Sequence, residues 1–245
     1  MGSFFSAEAP AEDPLLPDLR TVAAAPAGRP KVDLTETVRH AVQRQAWFIE
    51  YLQELGAAPL PFVGCFTAAA SPVQVARDIR QVLGVDVEHG QRPWDVYYRQ
   101  LLEAAEYVSV LVMRLGIVGN KTHRKLDVGE YRDFGISHPL APVVFINSSD
   151  APSVRLFTLL HELAHIWLGS SGISSVAPGS TRREEIACNA VAGEFHAPSD
   201  LFVQLWATAS QGLATRIEEL DQRFHVSRYV VVHRALDLGL VDRDT

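Results

Sequence analysis

The sequence predicts an α+β protein: a small sheet packed on one strongly apolar helix, with helical parts before and after it. Three observations carry this. Short apolar, β-branched runs that read as strands cluster in the middle of the chain, at 107–113 (YVSVLVM), 134–137 and 143–146. The segments on either side carry caps and helical apolar spacing instead. The run 153–168 is apolar nearly all round, as a helix buried on every side must be. With 245 residues, 47% apolar and 21% charged, the chain can build a packed core with a smaller annex.

Residues 1–32 are rich in Ala and Pro (Pro10, Pro14, Pro17, Pro26, Pro30) and lack a sustained period, so a flexible arm is expected. A helical part spans 33–94. Its first helix starts at the capping box Asp33-Leu34-Thr35-Glu36, places Val38, Val42, Phe48, Ile49 and Leu52 on its apolar face, and ends at Gly56. Ser71-Pro72 opens the second helix, which Gly84 closes. A third begins at Trp94 and runs to about Ala105. The core, 95–200, then holds the three strands, with an exposed loop over 116–131. After them come a helix capped by Ser153 and stopped by Gly169, a mobile Ser/Gly-rich loop at 170–180, and a helix capped by Thr181 that ends before Pro198. Residues 201–245 are expected to form C-terminal helices over 201–207, 213–224 and 226–238.

The net charge of −7 argues against non-specific attraction to nucleic acid or anionic membrane. Only Cys65 and Cys188 occur, so no disulfide framework is expected. No basic start followed by an apolar run opens the chain, and no run reaches the length of a membrane span, so a soluble, cytoplasmic protein is expected.

The chemistry concentrates in His161-Glu162-Leu163-Ala164-His165. Helical residues four apart lie about 40° apart around the axis and roughly 6 Å along it, so both imidazoles leave one face and can share an ion. Zinc takes imidazole nitrogen and keeps an open position when it is catalytic. Glu162 is placed to reach a water at the ion and act as general base. Flanked by Phe157, Leu159, Leu160, Ile166, Trp167 and Leu168, these polar groups would each cost about 1–3 kcal/mol if buried without partners. A cation removes that cost for the histidines.

A third ligand is required, and two adjacent glutamates compete. Glu184 has capping-box spacing from Thr181, which gives it a structural role. Glu185 points about 100° away and shares a face with Asn189. Glu185 is therefore assigned to the metal, and Asn189 to a hydrogen bond that orients a ligand histidine. Cys188 should face the core, and His196 lies near the end of the same helix.

These residues bring the chain close to a known family. Phe145-Ile146-Asn147, Arg155-Leu156-Phe157-Thr158-Leu159-Leu160, the His-Glu-Leu-Ala-His motif and Glu185-x-x-Cys188-Asn189 resemble the ImmA/IrrE metallopeptidases, and the likeness runs from about Asp95 to Asp200. The resemblance implies a zincin-like minimal metallopeptidase core over 95–200 and a glutamate ligand four residues before the asparagine, which supports Glu185 independently. It implies a metal-dependent hydrolase acting on a protein, often a helix-turn-helix repressor or antitoxin cut at one site, in bacterial stress or mobile-element regulation. Zinc is the expected ion, and manganese or iron also suits two histidines and a carboxylate. Longer relatives often carry an N-terminal helix-turn-helix domain, which is not expected in this chain. The family usually has Leu-Met-Pro where this chain has His196-Ala197-Pro198.

By this reading Glu162 takes the proton of the attacking water and passes one to the leaving amine. Strand 143–146 offers an edge for an extended substrate. A rival class lies in 213–240, where Glu218 to Arg228 followed by an apolar helix resembles a helix-turn-helix module. Its second helix offers only Arg228, His233 and Arg234 as basic groups, so packing is favoured over DNA binding. A third reading is a metal-bearing module that sequesters a regulator without cutting it.

Overall fold

The structure, a computed structural model, describes residues 32–87, 92–118, 121–125, 133–174, 183–210 and 212–242. The arm expected over 1–32 lies outside them except for Val32, where the first helix begins. In chain order the elements are α1 (Val32–Glu54), α2 (Pro72–Leu83), α3 (Trp94–Tyr107), β1 (Leu111–Leu115), β2 (Ile117–Val118), β3 (Lys121–Lys125), β4 (Asp133–Ile136), β5 (Val143–Asn147), α4 (Pro152–Trp167), β6 (Gly172–Ser174), α5 (Arg183–His196), α6 (Ser199–Thr208), α7 (Leu213–Phe224) and α8 (Arg228–Asp237). The fold is α+β.

One sheet has the order β1-β5-β4-β6, with β1 parallel to β5 and the other neighbours antiparallel. Alternation along the strands gives it two apolar faces. Val144 and Ile146 face the main core with Leu159, Leu163 and Trp167 of α4. Phe134, Ile136, Val143 and Phe145 face the other way, onto Val38 and Ala41 of α1. Every residue of β5 is buried, which fits the central strand of a covered sheet. The edge expected at 143–146 is therefore absent: β1 and β4 take both sides of β5.

Helix α4 lies beneath the sheet and is fixed from several directions. Trp167 donates its indole N–H to Asp78 of α2 at 2.7 Å and stacks on Phe62 with 4.4 Å between ring centres. Helix α5 packs alongside α4 through Cys188, Val191, Ala192 and Phe195. Helices α6 to α8 enclose a second cluster around Phe202, Trp206, Phe224 and Val231. Arg234 of α8 joins it to α5: its guanidinium pairs with Glu194, and its Nε donates to the Ala197 carbonyl at 3.0 Å.

Several boundaries differ from expectation. Tyr107 ends α3 and is 90% exposed, so the run 107–113 is split between a helix end and a strand. The chain turns at Ser109 (φ 69°) before β1 starts at Leu111. The loop expected over 116–131 contains the β2–β3 pair, and β6 falls within the loop expected at 170–180. Helix α1 starts at Val32, which puts Asp33 inside its first turn. Ala151, not Ser153, stands at the N-cap of α4, because Pro152 takes the first helical position, where its missing N–H costs nothing. Thr181 lies outside the described residues. The buried face of α1 comprises Thr37, Val38, Ala41 and Gln45. Beyond it Phe48 is half-buried and Trp47 is 66% exposed.

Candidate metal centre

Helix α4 presents His161 and His165 one turn apart, with both residues buried. Their Nε2 atoms are 3.1 Å apart. Glu185, in the first turn of α5, closes the group: one carboxylate oxygen lies 3.4 Å from the Nε2 of His161, the other 3.4 Å from that of His165. These are the only three residues in the described chain whose ligand atoms form such a cluster, all within 4.8 Å of one another.

Each outer nitrogen has a partner. The Nδ1 of His161 lies 3.0 Å from the Oδ1 of Asn189, an atom that only accepts hydrogen bonds. That Nδ1 therefore carries the proton, and its Nε2 presents a lone pair to the cluster. The Nδ1 of His165 lies 2.9 Å from the Ser170 hydroxyl. Two imidazole Nε2 atoms and a carboxylate thus converge on one point, an electron-rich group that positive charge among them stabilises. The spacings also suit one. Ligands about 2.0–2.1 Å from a tetrahedral ion stand roughly 3.3 Å from each other. The donor set therefore fits a divalent metal.

The local charges agree. Burial alone would raise the pKa of Glu185, but the His161 and His165 imidazoles hold it well below the usual carboxylate range. Burial alone would lower that of His165, and the adjacent Cys188 thiol and Glu185 carboxylate outweigh it and raise it. Cys188 faces the core as expected and also touches this imidazole; burial pushes its thiol up. Glu184 is exposed and is not among the clustered ligand residues.

Glu162 is fully buried between α4 and β4. A Cβ built on Gly135 would lie 2.9 Å from its Oε2 and 3.4 Å from its backbone oxygen, so any larger residue there would force the carboxylate to shift. Nearby, Asp133 accepts the Asn147 N–H at 3.2 Å and bonds the Thr158 side chain. Burial first, and the Glu162 charge second, push its pKa up to about 8.

Sequence reasoning placed His161, Glu162, His165, Glu185 and Asn189 in this region; His161, His165, Glu185 and Asn189 meet in the cluster, and Glu162 lies buried against Gly135 of β4. It missed Gly135, Asp133 and Ser170. A glycine inside a strand is a legible sign of close backbone approach. Asp133 and Ser170 gave no comparable sign. His196, the departure from the family pattern, is buried beside Phe157 and Phe195 and bonds the Leu156 carbonyl at 3.3 Å.

A family model for a peptidase domain, described as the IrrE N-terminal-like domain, matches residues 105–236, which is 132 of the 245 residues. No curated protein matches the chain. Among the described residues, no helix is long and apolar enough to cross a membrane.

Proposed function

Because the chain belongs to the family of IrrE N-terminal-like peptidase domains, we propose that it is a zinc-dependent endopeptidase that cuts a protein substrate, a helix-turn-helix repressor or antitoxin, in the bacterial cytoplasm. The observation that carries the catalytic reading is the convergence of His161, His165 and Glu185, each imidazole with a polar partner at its outer nitrogen.

In this reading His161, His165 and Glu185 hold the ion. A bound divalent cation supplies Lewis-acid polarisation of a carbonyl and makes water more acidic. Asn189 keeps the His161 ring turned so that Nε2 faces inward. Glu162 accepts the proton of the attacking water and delivers one to the leaving amine. Gly135 lets the strand press on Glu162, which confines the carboxylate to a narrow range of positions. Cleavage of the repressor encoded beside the gene, with elemental analysis of the purified protein, tests substrate and metal together. Glu162→Gln should retain the metal and lose cleavage; a fully active variant would refute the assigned base.

The DNA-binding alternative is weakened by how its basic groups are used. Arg234 is buried against Glu194, and Arg228 is held by Glu218 at 2.8 Å and Asp221 at 3.1 Å. His233 lies against the Tyr229 ring, with 4.2 Å between centres. DNA affinity leans on cationic contacts to phosphate, and these arginines are already committed. A salt-dependent shift of duplex DNA would restore that alternative. A metal-bearing module that captures a regulator without cutting it would bind the repressor tightly and leave it intact.

A further inference from the structure

We infer that Ser170 is a positioning residue for the metal site: its hydroxyl, fixed by the turn that ends α4, orients His165 and so sets how tightly the cation is held. The inference rests on the ligand set proposed above.

The turn is a Schellman cap. Gly169 adopts φ 68°, its N–H reaches the Ile166 carbonyl at 3.1 Å, and the Ser170 N–H reaches the His165 carbonyl at 2.9 Å. The ligand residue thus receives a backbone hydrogen bond from the residue that also contacts its ring. The turn is wedged in place. The Gly64 N–H donates to the same Ile166 carbonyl at 3.0 Å, and a Cβ on Gly169 would lie 3.0 Å from the Gly64 Cα. On the far side, the Ser171 hydroxyl accepts the Ser137 N–H at 2.8 Å, which ties the chain to the end of β4. Ser170 is therefore held between two fixed points.

Its Oγ lies 2.9 Å from the Nδ1 of His165 and 3.4 Å from the His165 carbonyl oxygen. A hydroxyl that donates to that carbonyl turns its lone pairs to Nδ1. The ring then carries its proton on Nδ1 and offers Nε2 to the cation. His161 gets the same service from Asn189, a residue of the helix that also supplies Glu185. His165 depends instead on a turn, and on a hydroxyl that other hydrogen bonds could reorient.

The test measures zinc affinity by chelator competition on the full chain, with the melting temperature of the metal-free protein alongside. Loss of an outer partner of a ligand histidine typically weakens metal binding about 10–100-fold. Ser170→Ala should show a loss in that range with an unchanged metal-free melting temperature. Ser170→Thr, which keeps the hydroxyl, should return affinity to within about threefold of wild type on the same physical ground. Wild-type zinc affinity in Ser170→Ala overturns the inference. So does a Thr variant as weak as the Ala variant, or an Ala variant whose metal-free form melts lower, since either makes the residue part of the turn and not of the site. A wild-type protein that binds no zinc would instead sink the metallopeptidase reading itself.

Discussion

Replacing Gly135 with alanine should separate catalysis from metal binding. The added methyl would lie 2.9 Å from the Glu162 Oε2, 3.4 Å from the Glu162 backbone oxygen and 3.6 Å from the His165 Cβ. Only the first contact is well inside the ordinary carbon–oxygen separation, by about 0.4 Å, and the atom concerned ends a flexible side chain. The strand has little room to retreat, because β4 is paired on both sides, by β5 and β6. The carboxylate must therefore move, while the histidine backbone stays. A displacement near 1 Å from the productive geometry costs about 100-fold in rate, so a shift of roughly half that predicts a loss of about 10-fold in kcat. Zinc affinity should stay within about threefold, because neither imidazole is touched.

Single-turnover cleavage of the proposed repressor substrate, beside zinc titration, reads both quantities. Glu162→Asp provides the internal control. Its shorter side chain withdraws the clashing oxygen, so adding Gly135→Ala in that background should cost little further rate, and the double-mutant cycle should show coupling. Unchanged turnover in Gly135→Ala, or a parallel collapse of zinc binding, would refute the idea that the strand positions the base.

Other outcomes follow from buried groups. His196 titrates near 3 in the fold, chiefly through burial, against 6.5 when unfolded. Its neutral form therefore supports the fold fully above 6.5, and that support is lost as pH falls towards 3. By pH 5 the loss is about 2 kcal/mol, so wild type should fall by about that much relative to His196→Leu in denaturant-measured stability between pH 6.5 and 5. Parallel wild-type and variant curves would exclude this. Asp133 runs the other way: raised from 3.8 to about 8, it keeps a proton that the unfolded chain sheds. Its contribution falls as pH rises from about 4 to 8, opposing that of His196 up to 6.5, so Asp133→Asn, measured without metal, should gain on wild type throughout that window; an equal slope in both refutes the assignment. Arg234→Ala strands Glu194 as a buried, unpaired charge and should cost about 3–5 kcal/mol, whereas Arg228→Ala, at an exposed pair, should cost under about 1 kcal/mol. Similar melting temperatures for the two would contradict the burial argument.

What the sequence disclosed and what it withheld divide along physical lines. The pairing of His161 with His165 is a property of one helix, readable from a spacing of four. The apolar flanks that bury α4 are equally local. Glu185 and Asn189 also share one helix; their assignment rested on helix-face and capping geometry, with family resemblance as independent support, because no local rule says how α4 and α5 pack. Helix α2, with proline at its first position and Gly84 in the left-handed cap, declares both its ends. The strands were harder. Residues 107–110 have a strand's composition but finish a helix, since Tyr107 can stay in solvent while Val110 turns inward. The basic run Lys121–Lys125 lacks the apolar alternation that marks a strand, so its pairing with β2 was illegible.

The residues that were missed share a deeper reason: each acts across a contact between elements distant in sequence or beyond a helix end. Gly135 matters only because β4 crosses α4 at Glu162, and Ser170 only because a Schellman turn folds the chain back over His165. This divides the site into two supports. Packing of α4 on α5 sets the distances among the three ligand atoms, whereas contact of β4 with α4 sets where the base can stand. Substitutions in the first support should change metal affinity and carry turnover with it. Substitutions in the second should change turnover alone. Gly135 and Ser170, both near His165 in space, fall on opposite sides of that division: the first meets a carboxylate and the second an imidazole nitrogen. If variants at the two positions lost zinc and activity in the same proportion, the site would have to be one cooperative unit, and the separate roles given to strand and turn would fail together.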